Sequence, residues 1–266
     1  MKNQKLMLAK IAQKKMKESI SFINKSEKIS IEHCQNRIIA ENIYSKYNIP
    51  FQDNSAVDGY AINFCQKKKI KTYILVGESK PGKPYNKKLK ENEAISIYTG
   101  SYIIDKNKIN TVLMLEDCKI SKNKITIKKS FRVGQNIRKK GEDLKENQIV
   151  FQKGRQIRTV DIAQLSSMGQ KKINVYKKIT VGVLSTGSEI NQTKKRQNHL
   201  IFDANKLTLI SMLKKLGCNT VDLGIIKDDF QDTKKKILNN LPNCDLLISS
   251  GGVSDSDTDM IGKVLI

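Results

Sequence analysis

Apolar and polar positions change rhythm along the chain, and the changes mark its elements. Near the N-terminus Met7, Ile11 and Met16 recur at roughly helical spacing, with Lys on the other faces, so residues 1–45 are expected to be helical. The mixed apolar run from Ile29 to Ile43 is expected to be an amphipathic packing helix. From 70 to 130 the apolar runs shorten. Thr72–Val76, Ala94–Tyr98, Thr111–Leu115 and Lys124–Ile127 read as strands, separated by turns holding Gly77, Gly82, Gly100 or Asn. They predict a small inserted β domain. Val150–Phe151 and Gln156–Ile157 flank a Gly154 turn, and Thr159–Met168 reads as a helix stopped by Gly169.

From Ile179 strands and helices alternate. Ile179–Leu184, Thr220–Leu223 and Leu246–Ile248 are the expected strands; Asn205–Leu216 and Phe230–Leu241 are the expected helices, closed by Gly217 and Pro242. Leu207, Ile210, Leu213 and Leu216 are expected on one face of the first helix, and a further helix begins near Thr258. Alternation of this kind implies a parallel sheet, which binds ligands beyond the carboxyl ends of its strands. Those exits carry Ser185, Thr186 and Glu189; Asp228 and Asp229; and Gly251, Gly252, Ser254 and Asp259. The stretch Asp245–Asp259 runs from a buried strand through Ser249-Ser250-Gly251-Gly252 to a helix mouth. Alone it reads either as an anion site of free N–H groups or as a tight turn with Asp caps. The convergence of three such loops favours the site.

Three other stretches carry two readings each. Asp58-Gly59 is a turn pair or part of a polar pocket floor with Asn54 and Ser55. Thr99-Gly100 is a plain turn or a hydroxyl-plus-backbone anion contact. Arg138-Lys139-Lys140, followed by Gly141, Glu142 and Asp143, is a charged loop or a phosphate contact beside a carboxylate.

Composition narrows the chemistry. Of 266 residues 38% are hydrophobic, with no long apolar run, so no membrane span is expected. The N-terminus lacks the apolar core of a signal peptide, which leaves a cytoplasmic location as the expectation. The net charge is +23, but the excess is scattered Lys without clustered Arg, and aromatic content is 6% with no Trp. That pattern reads as solvated surface, not as a nucleic-acid interface, and stays compatible with a polyanionic small substrate. The five cysteines (Cys34, Cys65, Cys118, Cys218 and Cys244) form no C-x-x-C pair, and His33 and His199 are the only histidines. A disulfide framework, a thiolate zinc site and a Ser-His-Asp triad are therefore poorly supported. Carboxylates, hydroxyls, Lys and backbone amides must carry any chemistry.

Five stretches in this order resemble the molybdopterin molybdenumtransferases, the molybdenum insertase (MoeA) family. They are Asp53–Ala61; Thr99-Gly100; Gly134–Asp143; Ser185–Glu189 with Asp203-Ala-Asn205; and Ile248–Ser254 with Asp259; Gly217–Asp229 also fits. The resemblance implies an α/β multidomain fold. A mixed linker domain (1–45 and 145–177) carries an inserted small β domain (46–144). A three-layer α/β domain (178–266), similar to molybdopterin adenylyltransferase, follows. It implies a homodimer whose site is shared between subunits, supplied by an upstream adenylyltransferase-type protein. The reaction would take adenylylated molybdopterin and molybdate, need Mg²⁺ and release AMP. The resemblance places catalysis on Asp58, Asp143, Glu189, Asp229 and Asp259, with Glu189 and Asp229 toward Mg²⁺. Thr99, Gly100, Ser185, Thr186, Gly187, Asp203, Asn205, Ser250, Gly251, Gly252 and Ser254 would hold the pterin ligand.

The sequence departs from the family pattern at Ser101–Asn110, near Asp255-Ser256 and at Lys194–His199. It also stops at Ile266, before strands, proline-glycine loops and a C-terminal β domain that the family carries. The expectation is a C-terminally truncated member, either active or reduced to binding molybdopterin or dimerising. Met260, Ile261, Val264 and Leu265 are expected to lack part of their cover.

Overall fold

The computed structural model describes residues 7–65, 70–104, 107–191, 195, 199–227, 229–252 and 260–265. The chain divides into two compact units: Met1–Glu41, Gly154–Ala163 and Lys171–Ile266 in one, Asn42–Lys153 and Gln164–Gln170 in the other.

In the first unit α1 (Ala9–Ser19) is helical as its spacing predicts, yet none of its residues is buried. The run from Ile29 to Ile43 is not a helix. β1 (Ser26–Ser30) pairs antiparallel with β12 (Lys172–Tyr176), from Ser26↔Tyr176 to Ser30↔Lys172. A 3-10 turn over Ile31–His33 follows, and Ile38 and Ile39 make single bridges to Gln156 and Val175. Five β-branched isoleucines (Ile29, Ile31, Ile38, Ile39 and Ile43) favour extended backbone, and pairing with a distant strand overrides the weak helical pattern. Cys34, Ile39, Ile157, Ile173 and Val175 are buried, and α2 (Thr159–Ser167) is helical as its sequence predicts. The Arg37 guanidinium binds Glu27 at 2.5 Å and the Tyr176 carbonyl at 2.8 Å.

The second unit centres on a six-stranded sheet of β4 (Gly59–Ile62), β5 (Thr72–Ser79), β6 (Glu93–Ile97), β7 (Thr111–Met114), β8 (Cys118–Ser121) and β9 (Lys124–Ile127). Their order is β7-β4-β6-β5-β9-β8. The β5–β6 pair is parallel and the others antiparallel. One face buries Ile62, Tyr73, Leu113 and Ile125; the other buries Ala61, Ile95, Ile97 and Val112. Two short ladders adjoin it: β2 (Ile43–Tyr44) with β11 (Ile149–Phe151), and β3 (Asn54–Ser55) with β10 (Ile137–Arg138). Gly59 is no turn residue. It opens β4, where an added Cβ would lie 1.9 Å from the Leu113 carbonyl oxygen of β7. Only glycine lets the two backbones approach so closely.

The remainder of the first unit is a three-layer α/β arrangement. Strands β13 (Thr180–Thr186), β14 (Asn219–Ile226) and β15 (Leu246–Ser250) run parallel in the order β14-β13-β15. The register of β13 on β14 slips between Val183 and Ser185. β14 therefore passes through Gly224, at φ +81°, and continues to Ile226 instead of ending at Leu223. Helix α3 (Asn205–Lys215) covers one face, where Leu209, Ile210 and Leu213 meet Val181 and Val183. Leu207 and Leu216 are 63% and 75% exposed. Steps of three residues drift backward around a 3.6-residue helix, so a stripe spaced only by threes leaves the core. On the opposite face α4 (Phe230–Asn240) and α5 (Met260–Leu265) pack Ile237 and Ile261 against Leu184, Leu223 and Ile226. Ile261 is thus covered and Val264 partly so, while Leu265 is 68% exposed. Among the described residues no helix is long and apolar enough to cross a membrane.

Candidate functional site

Two clusters of polar groups stand out, one in each unit. In the α/β part, β13 is central and buried along its length, and it delivers Ser185 and Thr186 to its carboxyl end. Ser185 lies opposite Ser250 of β15. The Ser185 and Thr186 hydroxyl oxygens and Asp203 Oδ2 are buried and have no hydrogen-bond partner among the described residues. Buried polar atoms are nearly always satisfied, and an orphan costs about 1–3 kcal/mol. Three orphans in residues grouped by the sequence pattern are the mark of a polar ligand site.

The glycines define the shape of that end. At Gly251 (φ +94°) a Cβ would lie 2.8 Å from the Thr186 carbonyl oxygen. At Gly252 (φ +78°) it would lie 2.7 Å from Thr186 Oγ1 and 2.9 Å from Ile261 Cγ1. Both glycines therefore permit the β15 exit to lie against Thr186. Gly187 donates its N–H to the Ile226 carbonyl at 3.2 Å, and the Glu189 carboxylate folds back over Gly187, 2.5 Å from where a Cβ would stand. Glu189 also accepts from the Ile201 N–H through its backbone carbonyl at 2.9 Å, which brings Asp203 toward the same loop. Asn205 is exposed at the start of α3. Asp229 caps α4, its Oδ1 accepting from the Asp232 N–H at 2.8 Å. Asp228, Ser254 and Asp259 lie outside the described residues, as does the segment expected to form a helix mouth after Gly252.

The second cluster joins stretches far apart in sequence. Asp58 Oδ1 accepts from the Thr99 N–H at 2.7 Å and from the Thr99 hydroxyl at 2.8 Å. The Thr99 N–H and then its hydroxyl hold the Asp58 carboxyl below its ordinary range. Gly100 donates its N–H to the Ser55 carbonyl at 2.8 Å. Asp53 accepts from Lys139 Nζ at 2.7 Å and from the Lys140 N–H at 2.9 Å. Asp143 accepts from the Arg138 guanidinium at 2.5 Å. The basic triplet is thus partly neutralised by the carboxylates around it.

Asn54, a candidate for the pocket floor, pairs with Arg138 across β3 and β10, and its buried Oδ1 has no hydrogen-bond partner among the described residues. Lys206 escaped the sequence reading. Lys206 is buried, and its Nζ lies 3.0 Å from Asp222 Oδ1. Its position seven residues before Leu213, on the inward stripe of α3, was the available signal.

Orphan hydroxyls at the carboxyl end of the central parallel strand define a polar-ligand site in the α/β part of a multidomain α/β protein. Comparison with known proteins carries this further. Residues 7–169 match the family model "MoeA N-terminal region (domain I and II)", and residues 182–265 match "Probable molybdopterin binding domain". The chain belongs to the MoeA family. It is 34% identical over 256 residues to the molybdopterin molybdenumtransferase of Haemophilus influenzae, covering 96% of this chain and 63% of that protein. The molybdopterin molybdenumtransferase of Staphylococcus epidermidis is 29% identical over 261 residues, with 94% and 62% covered. The crystal structure of a molybdopterin biosynthesis MoeA protein from Pyrococcus horikoshii superimposes with a TM-score of 0.87 at 29% identity, covering 93% of this chain and 67% of that one. The chain thus spans somewhat less than two thirds of the length of these transferases.

Proposed function

We propose that the chain acts in molybdenum cofactor biosynthesis as a molybdopterin molybdenumtransferase. It would insert molybdenum from molybdate into adenylylated molybdopterin and release AMP. The observation that carries this reading is the set of orphan oxygens on Ser185, Thr186 and Asp203, in a chain whose relatives are named for this transfer. Residues 1–45 and 145–177 would be the linker domain, 46–144 the inserted β domain and 178–266 the molybdopterin-binding domain, with the site shared in a homodimer.

The chemistry of these residues fits a phosphorylated pterin. The Ser185 and Thr186 hydroxyls can each donate to a phosphate or ring carbonyl oxygen. Asp203 Oδ2 can accept from a ring N–H. Gly251 and Gly252 let the β15 exit pack on Thr186, and Gly187, Ser250, Ser254 and Asn205 would add contacts to the ligand. Asp58, fixed by Thr99 beside Gly100, and Asp143, paired with Arg138, supply carboxylates from the β domain, and Asp259 completes the acidic set.

Mg²⁺ commonly takes one or two carboxylates plus substrate phosphates. No group of three or more metal-ligating side chains converges among the described residues, but Asp229 spends only Oδ1 on its cap and keeps a second oxygen. Glu189 and Asp229 would hold such an ion, in part through water. Such an ion would stabilise charge on the leaving phosphate. An upstream adenylyltransferase-type protein would supply the substrate. The test is AMP release from adenylylated molybdopterin with molybdate and Mg²⁺. Release above a protein-free control supports insertion; ligand binding without release limits the chain to binding; neither overturns the reading.

A further inference from the structure

Helix α4 packs on the sheet beside its edge strand β14, and the two elements border a groove of about 580 Å³, a volume within the range of small-molecule sites. Ile225, Ile226 and Lys227 form its β14 wall; Asp232, Lys235 and Lys236 belong to its α4 wall. Spacing of three and four residues puts the α4 group on one side of the helix, next to the buried Thr233 and Ile237 that seat it on the sheet. Three lysines are thus gathered on one cavity, in a chain whose other lysines are scattered. The Lys236 ammonium lies 3.9 Å from where a Gly224 Cβ would stand, so the glycine bend of β14 makes room for it. Asp222 is close enough to feel Lys236, but it already holds the Lys206 ammonium at 3.0 Å. The Lys227 and Lys235 ammoniums have no hydrogen bond or ion pair among the described residues. Against these three cations the groove's own lining sets one carboxylate, Asp232.

The groove adjoins the orphan hydroxyls. Ile226 in its wall accepts the Gly187 N–H at 3.2 Å, one residue beyond Thr186. The Lys227 carbonyl accepts the Asp229 N–H at 2.7 Å, which ties the groove to the α4 cap. Around Ser185 and Thr186 the charged side chains are Glu189, Asp203 and Asp229, and the nearby Lys206 is spent on Asp222. A phosphate placed among carboxylates alone is repelled, whereas free ammoniums bind phosphate oxygens through charge-assisted hydrogen bonds. We propose that the groove is an anion subsite, in which Lys227, Lys235 and Lys236 receive the phosphate end of a ligand whose polar ring end meets Ser185, Thr186 and Asp203. The identity of that ligand rests on the pterin reading above; the affinity of the groove for phosphate does not.

The test is a titration of the full chain with inorganic pyrophosphate, free of divalent cations, followed by ¹⁵N amide shifts and then by calorimetry with adenylylated molybdopterin. Pyrophosphate should shift the amides of Lys227, Asp232, Lys235 and Lys236 saturably. Its affinity should fall about tenfold or more when Lys227→Gln and Lys235→Gln are combined, the scale of lost hydrogen bonds to charged groups. The corresponding pair of arginine substitutions should retain it. Lys234→Gln is the control for general surface charge: Lys234 belongs to α4 but lies over the Phe230 ring, 6.0 Å from its centroid, and does not line the groove. It should leave the affinity close to that of the unaltered chain. No saturable shift at these amides, or a loss in Lys234→Gln as large as in Lys235→Gln, overturns the proposal. Adenylylated molybdopterin that binds and responds to Thr186→Val, yet ignores the paired glutamine substitutions, overturns it as well. Pyrophosphate held in the groove of a chain that never binds adenylylated molybdopterin supports the anion subsite and refutes the pterin reading alone.

Discussion

Replacing Gly252 by alanine perturbs the site through one methyl group. The residue sits at φ +78°, where an L-residue pays about 1–2 kcal/mol. The new Cβ would stand 2.7 Å from Thr186 Oγ1 and 2.9 Å from Ile261 Cγ1, both in buried side chains. Neither neighbour is the free end of a flexible surface chain, so relief requires repacking, which costs about 1–3 kcal/mol. Lower entropy of the unfolded chain returns about 0.4–1 kcal/mol. The net expectation is a loss of about 1–4.6 kcal/mol, centred on ~2.8, in urea unfolding of this unit. Gly262→Ala is the matched control. Nothing lies within 4 Å of its Cβ position and its φ is unstrained, so alanine in α5 should stabilise by about 0.5–1 kcal/mol. If Gly252→Ala changes stability by less than about 0.5 kcal/mol, the close packing of Gly252 on Thr186 is wrong, and the shape assigned to the site goes with it.

Gly59→Ala should be more damaging, about 4 kcal/mol or beyond, because its Cβ would meet the Leu113 backbone at 1.9 Å; loss of the cooperative transition of the β unit is the expected readout. Asp161, bound by Arg158 and Arg155, is held well below the usual carboxylate range, chiefly by the Arg158 guanidinium against the opposing effect of burial. A depressed folded value means its stabilisation is present above the unfolded value of about 3.9 and is lost as pH falls toward the folded one. Asp161→Asn should therefore flatten the acid limb of a stability–pH curve below about pH 4, and an unaltered limb would count against the pairing. Thr99→Val removes one of two donors to Asp58, so the Asp58 carboxyl should titrate higher by NMR while Thr99's N–H still holds it; an unmoved titration would show the hydroxyl contact to be absent.

The βα rhythm after Ile179 was legible because the strands are apolar runs and Gly217 and Pro242 stop the helices chemically, although only the central β13 is buried along its length and Leu246 to Ser250 of β15 are not. Strands of the β unit were legible where β-branched residues cluster, as in Thr72–Val76. Gly59 misled because a glycine after aspartate signals a turn locally, whereas here the reason lies across the sheet in Leu113. The run from Ile29 misled for the same reason: its partner β12 is far away in sequence. At the site, Ser185, Thr186, Gly251 and Gly252 were found because strand exits and glycines are local features. Lys206 was not: its place seven residues before Leu213 put it on the inward stripe of α3, but Asp222, the carboxylate that holds it at 3.0 Å, comes from the separate strand β14.

In the proposed site the Ser185 and Thr186 hydroxyls are orphaned for the sake of a ligand. Thr186→Val measures it most directly, by calorimetry with adenylylated molybdopterin alongside urea unfolding of the same protein. Stability and affinity should move with opposite signs. Removing an unsatisfied buried hydroxyl should leave stability unchanged or raise it by about 1 kcal/mol, while affinity falls about tenfold. Unchanged affinity, or a parallel loss of stability and affinity, would contradict it.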